Sequence, residues 1–210
     1  MMCAPWRCLM PSEPFERVSG VIAALPSANI DTDVIMPKTF LKGIDRSGLE
    51  KGLFHDLRFD EQGALRQDFV LNQAPWNTSA FLVTGANFGC GSSREHAVWG
   101  LRQFGIRAII ARSFAGIFFD NCARNGLLAI EAEEETVRQL TECGERGDKI
   151  TIDLAAQTLE TVRGVAGFGI GERRKYMLLK GLDAVGMTLQ WRTEIETFQS
   201  RYLGARAWLA

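Results

Sequence analysis

Near the middle of the chain, two hydroxyls and a guanidinium stand side by side as Ser92, Ser93 and Arg94. A guanidinium is a planar fork that can grip a carboxylate through two parallel hydrogen bonds. A serine hydroxyl beside that charge, at a helix N-terminus, has its alkoxide stabilised and can serve as a base. The surrounding residues, 85 to 97, read Gly-Ala-Asn-Phe-Gly-Cys-Gly-Ser-Ser-Arg-Glu-His-Ala. A helix expected to begin near Ser92 puts Arg94 in its first turn, where the dipole disfavours a cation. A charge placed against the local rule points to a task, and anion binding is the obvious one. A blander use of the same residues stands beside this one. Ser92-Ser-Arg-Glu95 also spells a capping box, with Ser92 capping and Glu95 reaching back. The two uses are compatible, because a cap hydroxyl sits at the mouth of an anion site.

The elements around this stretch must hold it in place. Ala80-Phe-Leu-Val-Thr84 is an apolar run that reads as a buried strand. Ala97, Val98, Leu101 and Phe104 follow with helical spacing, and Arg107-Ala-Ile-Ile-Ala111 is a second apolar strand. Strand, helix, strand in that order predicts a parallel βαβ unit, with the stretch at its first turn. Gly85, Gly89 and Gly91 allow positive φ or a close approach there. Common glycine motifs do not fit. The dinucleotide fingerprint needs Gly where Arg94 stands, and a P-loop needs Lys where Gly91 stands. A nucleophile elbow around Ser93 meets Glu95 where its second Gly belongs.

Composition narrows the class. The chain has 210 residues, enough for one domain with a sizeable core. Lys+Arg number 24 against 25 Asp+Glu, so the formal net charge of -1 gives no footprint for nucleic acid or a membrane surface. No apolar run has the length of a membrane span. Residues 1–11 are too short and too interrupted for a secretory signal. Residues 1–16 are expected to be a disordered extension, and 17–210 a single domain. Five widely spread cysteines argue against a disulfide framework and for a reducing, cytoplasmic setting. No C-x-x-C occurs, and His55 and His96 lack metal-ligand spacing. The chain is therefore expected to bind neither a metal nor an iron–sulfur cluster of its own.

Elsewhere, residues 17–25 read as a first strand, and 29–33 as a polar loop with Asp31 and Asp33 as turn formers. Lys38 to Leu41 begins a helix. Residues 43–72 read as a surface excursion containing one short helix, with His55 a surface or packing residue. Residues 113–125 look helical, with Phe114, Ile117 and Phe118 on one face and Asn125-Gly126 as the stop. A strand at 127–130, an amphipathic helix at 133–143 and paired strands at 149–153 and 158–162 follow. Helices at 172–180 and 193–203 close the chain, the last one exposed. Mixed strands and helices around a parallel unit argue α/β.

Asn87-Phe-Gly-Cys-Gly-Ser-Ser-Arg-Glu-His-Ala97 resembles the signature of the swivel domain of the aconitase superfamily. More closely, it is similar to the small-subunit family of 3-isopropylmalate dehydratases. Residues 30–40, Ile-Asp-Thr-Asp-Val-Ile-Met-Pro-Lys-Thr-Phe, and residues 181–190 resemble that family too. The likeness runs from about Val18 to about Gln190. It implies a three-layer swivelling β/β/α domain. It also implies a hydro-lyase that interconverts 2- and 3-isopropylmalate through 2-isopropylmaleate in leucine biosynthesis. A [4Fe-4S] cluster would lie on a separate large subunit, so activity would need the heterodimer.

Carried over by position, the resemblance makes Ser92 the base and Arg94 the carboxylate-binding arginine. Ser93 helps hold the same carboxylate, and Asn87 and Gly91 belong to the same substrate-facing turn. The loop Ile30 to Lys38 faces the substrate through Asp31, Thr32, Asp33 and Lys38, with Ile35 and Met36 walling part of an isopropyl pocket. Cys90 receives no ligand role and reads as a core residue. His96 reads as a satisfied structural histidine, and Trp99 and Phe104 as core. Val98 replaces a proline common at that place, a minor departure within a helix. Two alternatives stay open: a related hydro-lyase acting on methylmalate, dimethylmalate or homoaconitate, and a non-catalytic carboxylate-binding module.

Overall fold

The computed structural model describes residues 13–41 and 47–209. Its centre is one curled seven-stranded sheet in the order β4-β3-β2-β1-β5-β6-β7. The strands are β1 (Arg17–Leu25), β2 (Phe81–Thr84), β3 (Ala108–Ala111), β4 (Leu128–Glu131), β5 (Lys149–Asp153), β6 (Thr158–Thr161) and β7 (Gly164–Gly167). β1 is long enough to serve two partners. Its first half, Arg17 to Val21, pairs antiparallel with β5. Its second half, Ile22 to Leu25, pairs parallel with β2. The parallel run continues through β3 and β4, and the antiparallel run through β6 and β7. The expected parallel unit is present.

Alternating side chains explain why the parallel strands read as unbroken apolar runs. In β2, Phe81 and Val83 enter one core and Leu82 the other. In β3, Ile110 and Ile109 divide in the same way. Both faces are covered, so both parities are apolar. Each such side chain, fully removed from water, contributes about 1.5–3 kcal/mol.

Between β1 and β2 lie two single-turn helices, α1 (Thr32–Ile35) and α2 (His55–Arg58), and several 3-10 turns. α3 (Glu95–Phe104) and α4 (Gly116–Arg124) make the crossovers from β2 to β3 and from β3 to β4. Leu101 of α3 and Cys122 of α4 join Leu82 and Ile109 in the first core. α5 (Glu134–Arg146) covers the other face through Leu140 and Cys143. α6 (Glu172–Lys180) adds Leu178 to that second core, and α7 (Ala184–Leu189) and α8 (Arg192–Gly204) end the chain.

Several expectations change. The N-terminal part up to residue 12 lies outside the described residues, but the domain begins before Arg17. Phe15 is wholly buried, and its N–H donates to the Leu178 carbonyl. The 43–72 stretch is more than a surface excursion, because Leu53, Phe54 and Leu71 are core residues. Ile117 is exposed, while Phe114 and Phe118 are buried. β7 and α7 have no counterpart in the sequence reading: Gly-Val-Ala-Gly offers no alternation, and six residues are too few to display a helical stripe.

Candidate active site

The loops after β1 and β2 leave the same end of the parallel sheet and run together. The Asn29 N–H donates to Ala86 O at 2.9 Å, Gly89 N–H to Ile30 O at 2.8 Å, and Thr32 N–H to Cys90 O at 2.8 Å. A Cβ on Gly85 would stand 2.6 Å from both the Pro26 and Ser27 carbonyl oxygens, so only glycine permits this approach. Asn29 and Asn87 both adopt positive φ, and the Asn87 side-chain amide donates to Asn29 Oδ1 at 2.8 Å. Asn and Asp are the non-glycine residues that best tolerate this region.

Next comes the chemical end of the β2 loop. α3 begins at Glu95 with Arg94 as its N-cap, and no side chain caps it. The expected start near Ser92 is therefore three residues early, and the capping box does not form. The reason lies across the site. The Ser92 N–H donates instead to Thr32 Oγ1 at 2.9 Å, sixty positions away in sequence. Gly91 turns the chain at φ 96°, a conformation costly for any other residue. Ser92 and Ser93 remain exposed, while the Arg94 side chain keeps only 13 % of its surface. Its fork is divided. Nη1 donates to Asp33 Oδ1 at 2.5 Å and to the Met36 carbonyl at 3.4 Å, and Nη2 reaches Ser92 Oγ at 3.4 Å.

This geometry joins a buttressed cation to an exposed hydroxyl. The hydrogen bond from Arg94 holds the Asp33 carboxyl below its ordinary range. Desolvation opposes that shift, and the charges of Arg94 and Lys38 reinforce it. Asp33 in turn orients the guanidinium and offsets part of its charge. A guanidinium fixed in this way is preorganised, the condition under which a donor can stabilise developing negative charge.

Not every residue expected at the substrate lies where it could touch one. Ile35 and Met36 are wholly buried in the first core, so neither walls an isopropyl pocket. A one-turn helix must bury its apolar side to hold its place, and these two side chains do that for α1. Met36 packs so closely on α3 that a Cβ at Gly100 would come within 2.3 Å of its terminal methyl. Thr32 is 1 % exposed and holds Ser92 rather than a ligand. Asp31 caps α1, its carboxylate accepting the Val34 N–H at 2.8 Å. Asn87, Gly91, Ser92, Ser93 and Lys38 are exposed, and Asp33 is half exposed.

Cys90 is only partly buried, short of the core position expected for it. Its carbonyl, not its thiol, does the holding. His96 is partly buried with its ring 4.7 Å from that of Trp99, whose indole N–H donates to Asn125 Oδ1 at 2.7 Å. Two contributors escape the sequence reading, Asn29 and Ser113. Ser113 Oγ accepts the Asn87 N–H at 3.0 Å. An Asn just before the Ile-Asp-Thr-Asp run was the available signal for the first, while nothing local marks the second. Among the described residues, no group of three or more His, Cys, Asp or Glu is placed to hold a metal ion. Cys122 and Cys143 are buried in opposite cores, so these thiols do not fit a cluster.

Known proteins resemble this chain in sequence and fold. Residues 12–135 match the family model described as the aconitase C-terminal domain. The chain is 51 % identical over 199 residues to the 3-isopropylmalate dehydratase small subunit 1 of Mannheimia succiniciproducens, covering 94 % of this chain and 98 % of that protein. It is 48 % identical to the small subunit 2 of Salmonella typhimurium, covering 94 % and 96 %. A crystal structure of the Methanocaldococcus jannaschii 3-isopropylmalate dehydratase superposes with a TM-score of 0.62 at 27 % identity, covering 87 % of this chain and 99 % of that one. With the aconitase-type domain matched over more than half its length and near-complete relatives at about half identity, this chain belongs to the 3-isopropylmalate dehydratase small-subunit family.

Proposed function

We propose that the chain is the small subunit of a cytoplasmic hydro-lyase of leucine biosynthesis, which moves a hydroxyl between the two carbons of isopropylmalate by loss and return of water. The observation carrying the site assignment is the divided fork of Arg94, held by Asp33 on one arm and turned toward the exposed Ser92 hydroxyl on the other. Ser92, as the alkoxide, takes the proton from the carbon next to a carboxylate. That carbon acid is weak, so the charge spreading onto the carboxylate must be met as it develops. Arg94 does so, with Ser93 and the Gly91 turn beside it. The adjacent hydroxyl takes a proton from an acid supplied with the partner and departs as water, and a double bond remains. On the return, the hydroxyl of water adds to the carbon that gave up its proton, and Ser92 returns that proton to the carbon that lost the hydroxyl. Departure of the hydroxyl needs a Lewis acid. This reading places it, as an iron–sulfur cluster, on a large-subunit partner, because the described thiols of this chain cannot assemble one.

Ser92→Ala tests the base. In the complex with the large subunit, kcat is expected to fall by roughly 10²–10⁴-fold with little change in KM, the range for losing a positioned base. Wild-type-like turnover would refute the assignment. Burial of Ile35 and Met36 favours keeping a second reading. With the alkyl pocket built from other residues, methylmalate, dimethylmalate or homoaconitate is the alternative substrate. Discrimination by a few methylenes is worth roughly 1–3 kcal/mol, so a substrate panel on the complex decides.

A further inference from the structure

The C-terminal helix carries a line of large apolar residues that begins at its N-cap, Trp191, with Leu203 off the line and partly buried. Trp191, Ile195, Phe198 and Tyr202 recur at steps of four, three and four, the spacing of a narrow helical seam built to meet a partner. Trp191 is 63 % exposed and Phe198 55 %, and no residue of α8 is buried. Phe198 and Tyr202 stack on one another at 5.6 Å. Val185, Leu189, Trp208 and Leu209 are exposed in the same C-terminal stretch. A large aromatic side chain offers roughly 150–250 Å², so the four aromatics of this stretch leave on the order of 450 Å² open. The seam's own Trp191, Ile195, Phe198 and Tyr202 supply roughly half of the ~800 Å² that each partner gives to a stable complex, so the seam is one anchor within a larger interface. A helix of this length without tertiary support is marginal in water.

What covers the seam follows from the family. This domain occurs as the C-terminal domain of aconitase, where the rest of the chain tethers it, whereas relatives of the present chain are named small subunits. A tether supplies a high effective concentration, and a separate chain must replace it with an interface. The seam lies outside residues 12–135, the part matched to the aconitase domain. We propose that the Trp191–Tyr202 seam is an anchor that docks in an apolar groove of the large subunit, apart from the residues around Ser92. This rests on the reading of the chain as a small subunit.

The test measures binding of the full chain to the purified large subunit of the same organism by calorimetry, without substrate. Phe198→Asp and Ile195→Asp are each expected to weaken binding roughly tenfold or more, the scale of losing a central anchor. Ser200→Asp, on the opposite face, is expected to leave affinity unchanged. The melting temperature of the free chain and kcat at saturating chain should stay at wild-type values in all three. Wild-type affinity in Phe198→Asp and Ile195→Asp would overturn the proposal, as would equal weakening in Ser200→Asp. So would a free chain that sediments as a dimer and becomes monomeric in Phe198→Asp while large-subunit affinity holds, since the seam would then serve a second copy. Turnover of isopropylmalate is assayed separately, so a complex that forms through the seam yet fails to turn over sinks only the activity reading.

Discussion

The loop after β1 and the loop after β2 lie together at one end of the sheet, yet they do opposite work. The β1 loop turns its side chains inward: Thr32, Ile35 and Met36 are buried, and Asp31 is spent on a cap. The β2 loop turns its hydroxyls outward at Ser92 and Ser93, where a ligand can reach them. Reactive groups need exposure, and exposed groups need a frame. Here the frame is lent by the neighbouring loop through backbone hydrogen bonds, one threonine hydroxyl and one carboxylate. A residue can therefore stand within a signature and yet never touch the substrate.

Arg94 is where the two loops meet, and replacing it should break the comparison most severely. Lysine keeps the charge but has no fork, so it cannot hold Asp33 and face Ser92 at once. In the complex, Arg94→Lys is expected to lower kcat/KM by roughly 10²–10³-fold, the scale of losing one preorganised donor to developing charge. Activity near wild type would mean that the guanidinium only braces the loops.

Gly85→Ala attacks the frame alone. Its Cβ would press on backbone atoms of Pro26, Ser27 and Ala28, none of which can rotate away. A loss of about 3 kcal/mol is expected in denaturant unfolding, at the upper end for overpacking. Thr32→Val is milder and sharper. It removes the acceptor for the Ser92 N–H at almost constant volume, which costs about 1 kcal/mol and lets Ser92 drift. In the complex, kcat should fall several-fold with KM little changed, and Thr32→Ser should restore it. Failure of serine to rescue would show that the methyl packing matters more than the hydroxyl.

Legibility in the sequence follows the same division. The parallel unit is readable because both of its faces are buried, so Phe81-Leu-Val and Ala108-Ile-Ile-Ala are apolar at every position. Arg94 stands out in the sequence because a cation is an odd choice at a helix entrance, whereas the serines beside it are ordinary there. The start of α3 is not readable. Locally, Ser92 is a good cap, but the N–H that Glu95 would take goes to the Thr32 hydroxyl from sixty positions away, and the Ser92 oxygen that would cap faces Arg94 Nη2. Ile35 and Met36 mislead for a related reason: in a polar loop they look like pocket walls, whereas a single-turn helix needs them as ballast. The narrow seam of α8 is readable as a helix, but its periodicity does not say whether the partner belongs to the same chain.

Asp33 gives the smallest effect and the finest test of what the β1 loop lends. Its folded-state pKa lies below its ordinary value of 3.8, chiefly because Arg94 donates to the carboxylate. A group with a depressed folded-state pKa binds its proton more readily in the unfolded chain, so unfolding takes up protons and acid favours it. The stabilisation is fully present above pH 3.8 and is lost as pH falls through the lower folded-state value. In Asp33→Asn the charge is gone at every pH. Unfolding curves of wild type and variant should therefore be offset at neutral pH and converge in acid. A constant offset down through that range would trace the effect to packing at Asp33 and not to its charge, and the β1 loop would then lend Arg94 shape alone.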